Sequence, residues 1–262
     1  MTQPPEAEVR SDAAPQAPVT AAVLVIGDEI LSGRTKDQNI GFIADYLTAI
    51  GIDLEEVRVV PDVEARIVAA LNALRAGYTY VFTTGGIGPT HDDITADAVA
   101  KAFGVAIDID PRAVGVMRAR YPDTELTPAR LRMARIPDGA DLIANPVSAA
   151  PGFRIGNVHV MAGVPKIMQA MMDSIAPTLA RGRPMLSHTI EAGMGEGALA
   201  EGFGAIARAN PDTLLGSYPY FDGTRHTTRL VVRARDAARL ATVAAAVEAL
   251  VADLQGRTTP RA

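Results

Sequence analysis

Glycines and acidic residues follow the apolar runs of this sequence, and their types suit phosphate chemistry assisted by a metal ion. The longest such segment contains Gly85, Gly86 and Gly88, followed by Asp92 and Asp93. Glycines let a ligand approach the backbone amides closely, and those amides suit phosphate oxygens. The two carboxylates would repel a phosphate at this range, and a divalent cation between them would remove the conflict. Mg²⁺ is the expected ion, since proteins hold it with one or two carboxylates plus phosphate oxygens.

The two aspartates have a second interpretation, which is helix capping. A helical pattern begins near Asp93, and Asp is a preferred residue at a helix N-terminus, so at least one of the pair is expected to cap this helix. The two roles are compatible, because the positive end of the helix dipole also favours an anion. His91 is expected to be an exposed loop side chain. The segment fits neither GxxxxGK(S/T) nor GxGxxG, so no standard nucleotide-binding motif applies.

Further acidic residues follow two other apolar runs. Asp28 and Glu29 come after the run at 21–26. They either hold a metal or contact ribose or pterin edges, or they are simply turn residues. Asp62 follows the next run and precedes a helical pattern, so it is either an N-cap or a third carboxylate at the same place. Taken alone, it is best explained as a cap.

A parallel sheet is needed to bring these side chains together. Residues 21–26 form a continuous apolar run, as expected for a central parallel strand that is buried on both faces. Residues 52–60 and 78–83 predict two more strands, with helices at 40–50 and 62–75. In an open α/β sheet, ligands lie beyond the carboxyl ends of the strands. The acidic residues and glycines are therefore expected to meet at one edge of the sheet.

Local patterns also predict the elements that complete this sheet. Gly156-Asn157 stands between two apolar segments and predicts a hairpin of strands 153–155 and 158–161. A helix is expected to follow from Pro165. Its methionine stripe is interpreted as core filling, because flexible methionine side chains fill irregular gaps.

The chain is expected to divide into a tail and two domains. Residues 1–19 are rich in Pro, Ala and Gln and are expected to be disordered. Residues 20–180 form the α/β domain, which ends near the Gly/Pro-rich boundary at 181–184. Residues 184–256 show a β-α-β-β-α pattern, which predicts a small α+β domain. Its aromatic cluster at 218–221 is expected to pack rather than bind a ligand.

Composition excludes several functional classes. The 262 residues carry a formal net charge of −5, which argues against a nucleic-acid partner. The absence of cysteine excludes disulfides, thiolate nucleophiles and cysteine-based metal sites. Neither a membrane-spanning run nor a signal peptide is recognisable, so no membrane partner is expected and the cytoplasm is the expected location. The arginines between Arg112 and Arg135 are expected to form a solvated surface rather than grip an acidic ligand.

Several motifs resemble those of one known family. They are Gly27 to Gly33 with Asp37 to Asn39, Pro61-Asp62, Thr83 to Thr95, Ala150 to Gly152, and Gly163 to Pro165. With them the sequence resembles the molybdopterin-binding (MoaB/MogA-like) domain family of molybdenum-cofactor biosynthesis proteins, most closely the N-terminal part of CinA-type proteins. The resemblance implies a three-layer α/β/α domain with a mostly parallel sheet and an antiparallel edge. It also implies that the deamidase domain of full-length CinA-type proteins is absent here.

The resemblance further implies a ligand class and a set of site residues. Family members bind phosphorylated pterins or nucleotides; some transfer adenylate to molybdopterin with Mg²⁺, and CinA-like members cleave the pyrophosphate of ADP-ribose or similar dinucleotides. Carried onto this chain, it assigns the chemistry to Asp62 and Asp93 and the metal to Asp92 and Asp93. A homo-oligomer is expected. The implied ligand-binding residues are Gly27, Asp28, Glu29, Thr84, Gly85, Gly86, Gly88, Thr95, Ser148, Gly163 and Pro165.

Departures from the family pattern leave three functional hypotheses open. Ala162 and Ile167 replace the Pro and Glu of relatives, and Ser148-Ala149 replaces Gly-Thr. The first hypothesis is a Mg²⁺-dependent hydrolase or nucleotidyl-transferring enzyme that acts on a dinucleotide or pterin pyrophosphate. The second is a binding protein that keeps the pocket without turnover. The third is an oligomeric interaction protein with a vestigial site.

Overall fold

The computed structural model describes residues 18–122 and 125–258, which form two compact units that divide between Gly182 and Arg183. Most of the tail expected at residues 1–19 lies outside the described ranges. Val19 is an exception, because its carbonyl accepts a hydrogen bond of 2.9 Å from the Asp53 amide and its side chain packs on the core. The first unit therefore begins slightly before residue 20.

The first unit alternates strands and helices along the chain. Short loops connect most of them, and a 3-10 turn at Ala176–Thr178 ends the series. In chain order the elements are β1 (Thr20–Ile26), α1 (Asp28–Leu31), α2 (Asn39–Ala49), β2 (Asp53–Val60), α3 (Glu64–Gly77), β3 (Tyr80–Thr84), α4 (Thr95–Phe103), β4 (Ile107–Ile109), α5 (Pro111–Arg120), α6 (Pro128–Arg132), β5 (Arg135–Pro137), β6 (Asp141–Ile143), β7 (Gly152–Ile155), β8 (Val158–Met161) and α7 (Pro165–Ile175).

A six-stranded sheet in the order β2-β1-β3-β8-β7-β6 forms the middle layer. The first four strands run parallel, whereas β7 and β6 pair antiparallel at one edge. The hairpin of β7 and β8 turns at Gly156, whose φ of 56° lies in the left-handed region that favours glycine. The mostly parallel sheet with an antiparallel edge is confirmed.

Helices cover both faces of this sheet, which gives three layers. Leu24 and Ile26 of β1 belong to the core formed with α3, α4 and α5, whereas Val23 and Val25 belong to the core formed with α2 and α7. Alternate residues of one strand thus enter opposite cores, as the uninterrupted apolar run predicts for a central strand. The methionines of α7 fill the second core as predicted, and the fully buried ones are Met168, Met171 and Met172.

One ionisable side chain lies inside the second core. His159 of β8 is 1% exposed, and its ring stacks on Phe82 with the centroids 5.2 Å apart. Tyr80 approaches it edge-on at 5.7 Å, and Nδ1 of His159 has no hydrogen-bond partner among the described residues. Burial, assisted by the positive charge of Arg154, lowers the pKa of His159 to about 4. The imidazole is therefore neutral at physiological pH.

The second unit has the predicted β-α-β-β-α order: β9 (Leu186–Glu191), α8 (Glu196–Ala209), β10 (Leu214–Phe221), β11 (His226–Ala234) and α9 (Ala237–Thr258). Its three strands pair antiparallel in the order β10-β11-β9, and α8 and α9 pack on one face. Although α9 is 22 residues long, neither it nor any other helix in the described ranges has the apolar length that a membrane crossing requires.

The aromatic cluster of the second unit does not pack as expected. Tyr218 and Phe221 are 56% and 58% exposed, so that expectation is wrong for both side chains. Tyr218 lies three residues after Leu215, whose side chain packs on the core, and so it points to the opposite face of β10. Phe221 ends the strand and contacts the ring of His226 at 5.3 Å. Whether a side chain on β10 is buried depends on which face of the strand it occupies, and composition alone does not give that.

The buried neutral imidazole makes a pH-dependent stability prediction. Between pH 6.5 and about 4 the unfolded chain binds a proton at His159 that the folded protein excludes. The free energy of unfolding should therefore fall as the pH drops through this window, by roughly 3 kcal/mol in total. His159→Phe should remove this part of the pH dependence in urea unfolding. His91→Asn, a change at a side chain that is 99% exposed, should retain it; equal slopes in the two variants would contradict the prediction.

Candidate ligand-binding cleft

The loops that leave β1, β2, β3 and β8 meet at the carboxyl edge of the parallel strands, as the sequence predicts. The loop after β3, residues 85–94, is called the glycine loop below. Together with the turn at 162–165, it lines a cleft of about 510 Å³. Glu29 and Ser148 line the same cleft from two other loops. This is the position at which open α/β sheets bind their ligands.

Close packing between backbones holds the loops together. Gly85 has a φ of 101°, and a Cβ on it would lie 2.1 Å from the carbonyl oxygen of Ile26. A Cβ on Gly163 would lie 3.2 Å from the Cα of Gly85. The Gly163 carbonyl in turn accepts a hydrogen bond of 2.8 Å from Nδ2 of Asn39, at the start of α2. These glycines therefore bring three strand ends together, a packing role that precedes any contact with a ligand.

Asp93 has a role that neither sequence interpretation described. Helix α4 begins at Thr95, and its N-cap is Ile94, so the expectation that Asp92 or Asp93 caps the helix is wrong. The Asp93 carboxylate instead accepts hydrogen bonds from the backbone amides of Gly88 at 2.6 Å and Thr90 at 2.8 Å. Asp93 therefore closes the glycine loop on itself.

Most of the amides that were expected to face a phosphate already donate within the protein. The Gly85 amide donates to the Met161 carbonyl at 3.2 Å, and the Gly88 amide donates to Asp93. Among the described residues, the Gly86 amide alone of these three has no acceptor. The loop does favour an anion, since it binds a carboxylate, but its own Asp93 supplies that anion.

Two predicted ligand-binding threonines lie beneath the glycine loop instead of lining the cleft. Thr95 is fully buried, its hydroxyl donates to the Gly85 carbonyl at 3.0 Å, and its amide donates to the Gly86 carbonyl at 3.0 Å. Thr84 is 1% exposed, and its hydroxyl has no hydrogen-bond partner among the described residues. The two side chains support the loop from below. Gly27 likewise binds the backbone, since its amide donates to the Val60 carbonyl at 3.1 Å.

Asp62 stands among acidic side chains at the edge of the sheet. The N-cap of α3 is Val63, so the interpretation of Asp62 as a helix cap is wrong. Its Oδ2 accepts a hydrogen bond of 3.0 Å from the Asp28 amide. Partial burial raises the pKa of Asp62, and the negative charges of Asp28, Glu29 and Asp92 raise it further. Burial and these neighbouring charges both make ionisation of Asp62 more costly.

These acids do not form a metal site by themselves. Within the ranges 18–122 and 125–258, no three His, Asp or Glu side chains converge closely enough to hold an ion. Asp93 binds the loop amides, whereas the Asp92 side chain is 62% exposed and its charge acts on Asp62. A metal ion here would therefore need oxygens from water and from the ligand, which is the usual coordination of Mg²⁺. His91 is exposed, as expected.

The sequence indicated a turn-rich segment at 145–153 but not the role of Asn145, which shapes the polar end of the cleft. Asn145 is 5% exposed, and its Oδ1 accepts hydrogen bonds of 3.1 Å from the amides of Val147 and Ser148. Its Nδ2 donates to Ser148 Oγ at 2.7 Å and to the Ala150 carbonyl at 2.8 Å. Because Ser148 Oγ accepts from Asn145, its own proton is left for a ligand. The Asn-Pro pair at 145–146 was the available signal for this turn.

The opposite wall of the cleft is apolar. Val164 is 57% exposed at the N-terminus of α7, next to Pro165, which occupies the first helical position. Such a wall suits the face of a flat ring, while the polar end suits hydrogen bonds at its edge. The apolar side chains that line this wall are Ile87, Met133, Val164 and Ile167.

Comparison with known proteins divides the chain at the same point as the structure. The sequence profile described as "probable molybdopterin binding domain" matches residues 22–181, and the profile described as "FAD synthase, middle domain" matches residues 184–260. The family resemblance drawn from the sequence is therefore confirmed. The second match concerns the small α+β unit, for which the sequence suggested no separate family.

Relatives from several organisms are similar over more than half of this chain. A CinA-like protein of Citrifermentans bemidjiense is 39% identical over 204 residues, which are 76% of this chain and 48% of that protein. A protein of Pyrobaculum calidifontis is 34% identical over 211 residues, 76% of this chain and 80% of that one. The crystal structure of CinA from Thermoplasma acidophilum is 36% identical with a TM-score of 0.58, and the match covers 61% of this chain and 97% of that one.

The backbone contact at Gly85 predicts the cost of a single methyl group. Gly85→Ala places a Cβ against the Ile26 carbonyl at a positive φ, so the free energy of unfolding should fall by roughly 2–4 kcal/mol. Gly115→Ala is the matched control, because Gly115 lies in α5 with no atom within 4 Å of its added Cβ. That change should raise stability by about 0.5–1 kcal/mol. Urea unfolding of the two variants distinguishes the sites, and equal effects would contradict the close packing.

Proposed function

The chain belongs to the family described as the probable molybdopterin binding domain, and on that premise we propose that its cleft binds a phosphorylated pterin or nucleotide. We further propose that, with Mg²⁺, it hydrolyses the pyrophosphate of a dinucleotide such as ADP-ribose or FAD, or transfers a nucleotidyl group. Two comparisons support the ligand class: the family's own description names molybdopterin, and the match to residues 184–260 is described as the middle domain of FAD synthase.

The single observation that carries this proposal is the crowding of carboxylates at Asp62. The pKa of Asp62 is raised first by burial and then by the charges of Asp28, Glu29 and Asp92, so the ionised Asp62 carboxylate is held at this sheet edge at an energetic cost. A pyrophosphate beside them would add further negative charge. A divalent cation relieves both conflicts together, because it attracts the acids and the phosphoryl oxygens at the same time.

The side chains that line the cleft and the acids Asp28, Asp62 and Asp92, which lie outside its lining, divide the work. Asp62, with Asp28 and Asp92, would hold the metal and orient a water for attack on phosphorus. Mg²⁺ would supply charge neutralisation and a more acidic water. The Gly86 amide and the Ser148 hydroxyl are the donors that remain for ligand oxygens, and the apolar wall would receive the ring of the pterin or base. This division moves the metal from Asp93, whose oxygens bind the glycine loop, to Asp62.

One observation favours the alternative of binding without turnover. Ala162 and Ile167 line the cleft, so the wall at the start of α7 offers no acidic group to the ligand. If the chemistry needed a carboxylate on this wall, the protein would bind its ligand and release it unchanged. The two functions differ in product formation and not in affinity, so one assay separates them.

Location and assembly are the remaining parts of the proposal. Nucleotides and pterins are cytoplasmic metabolites, and we place the reaction in the cytoplasm. We also propose that the protein is a homo-oligomer. Light scattering on the purified protein measures the second point directly.

Turnover should depend on Mg²⁺ and on Asp62. Purified protein with Mg²⁺ should release AMP from ADP-ribose or FAD by hydrolysis, or release pyrophosphate from ATP when molybdopterin is the acceptor, and it should do neither with EDTA. Asp62→Asn should lower this rate by about 100-fold or more, since it removes a charge that acts in the transition state. Asp45→Asn, at an exposed position of α2, is the control and should keep the full rate. A ligand-induced thermal shift without product would support the binding protein, and neither signal would remove both functions.

The carboxylate crowding can be tested without any substrate. Because the folded-state pKa of Asp62 is raised, its ionisation lowers stability as the pH rises above the value of an unfolded Asp. Asp62→Asn should therefore raise the melting temperature at neutral pH in EDTA, while Mg²⁺ should stabilise the wild type more than the variant. Asp45→Asn should show the wild-type response to the metal. If the Mg²⁺ response were the same in Asp62→Asn, the metal would lie elsewhere.

A further inference from the structure

An arginine lies behind the glycine loop, where it contacts the main chain of Asp93. Arg132 is the last residue of α6, and its Nη2 donates a hydrogen bond of 3.3 Å to the main-chain carbonyl of Asp93. Asp93 is the residue whose side chain accepts from the amides of Gly88 and Thr90. A chain of contacts therefore runs from the guanidinium through Asp93 to the loop.

Arg135 forms an ion pair with a carboxylate, whereas Arg132 forms none within the part of the chain that the structure describes. Arg135 makes a two-pronged ion pair with Asp97, with N–O distances of 2.6 and 2.7 Å. Arg132 has no carboxylate partner among the described residues, and its Nε is shielded from solvent without an acceptor. Shielding a charged donor without a partner is costly, so the unpaired Nε at this place calls for an explanation.

The surroundings of Arg132 indicate that its charge serves the glycine loop. A cavity of about 20 Å³, large enough for one water molecule, lies between Arg132 and the back of the loop at Gly86, Gly88 and Asp93. Among residues 18–122 and 125–258, Arg132 and Arg135 are the only cationic residues that line either this cavity or the cleft. Because Arg135 is paired, Arg132 supplies the uncompensated positive charge that a phosphoryl group at the loop would meet.

We propose that Arg132 is a positioning residue for the phosphorylated ligand and acts through Asp93; this inference rests on the proposed function. Arg132 fixes the main chain of Asp93, so that the Asp93 carboxylate keeps the Gly88 and Thr90 amides in place. The loop then presents its remaining amide at Gly86 to the ligand. The positive charge behind the loop also offsets part of the repulsion between Asp93 and an incoming phosphate.

The test compares Arg132→Met, Arg132→Lys and Arg130→Met. Arg130 is the matched control, since it lies on the same short helix, is exposed, and donates to the Glu125 carbonyl at 3.1 Å. The first measurement is hydrogen exchange at the Gly88 and Thr90 amides without any ligand. Arg132→Met should accelerate exchange there by about tenfold, the effect of losing one hydrogen bond to a charged group, and Arg130→Met should not.

The second measurement is the affinity for ADP-ribose with Mg²⁺ present, by titration calorimetry. Arg132→Met should weaken binding by about tenfold, and Arg132→Lys, which keeps the charge, should recover most of that loss. A merely structural arginine would lower the melting temperature without this recovery of affinity by lysine. Arg130→Met should bind as the wild type does.

The remaining outcomes separate this inference from the function on which it rests. Unchanged exchange in Arg132→Met would overturn the role through Asp93, even if the affinity fell. Unchanged affinity with faster exchange would overturn the link to the ligand. If the wild type bound no ADP-ribose, the proposed function would fail for this probe, and exchange at Gly88 and Thr90 would still decide whether Arg132 holds the loop.

Discussion

The absence of side chains where three strand ends meet is the constraint on which the cleft depends. Gly85 packs directly on the Ile26 carbonyl, and Gly163 packs on Gly85, so the ends of β1, β3 and β8 approach within backbone contact. A methyl group at either glycine would push the strand ends apart. Because Glu29, Asp93 and the start of α7 all follow these strand ends, the same contact sets the distance between the acidic and the apolar sides of the cleft.

The glycine loop is built as an anion site that the protein already fills. The Asp93 carboxylate accepts from the Gly88 and Thr90 amides, so the loop keeps its shape before a ligand arrives. A preorganised loop avoids the cost of ordering on binding. It also leaves Asp93 little freedom to hold a metal. Asp28, Glu29 and Asp92 lie near Asp62, and partial burial together with their charges raises the pKa of Asp62.

Patterns within a few residues of each other predicted most of the fold. The run at 21–26 became β1, the Gly156-Asn157 pair became the β7–β8 turn, and the order of the second unit followed its periodicity. The expectations that Asp62 and one of Asp92 and Asp93 cap a helix were wrong, because the position of a cap depends on one or two residues and periodicity does not fix it so closely. The actual partner of Asp62 is an amide 34 residues away in sequence, and no local pattern reports such a contact.

Arg132 and Arg135 show why charge counts along a sequence do not locate a site. Three residues apart and identical in type, both belonged to the arginines that composition assigned to a solvated surface. Folding pairs Arg135 with Asp97 and leaves Arg132 against the back of the glycine loop with only a carbonyl acceptor. The loop therefore contacts a guanidinium through the Asp93 carbonyl and also carries Asp92, whose charge acts on Asp62. The positive charge of Arg132 would stabilise a ligand that is negative at the loop. The negative charge of the acids would stabilise a cation that accompanies this ligand.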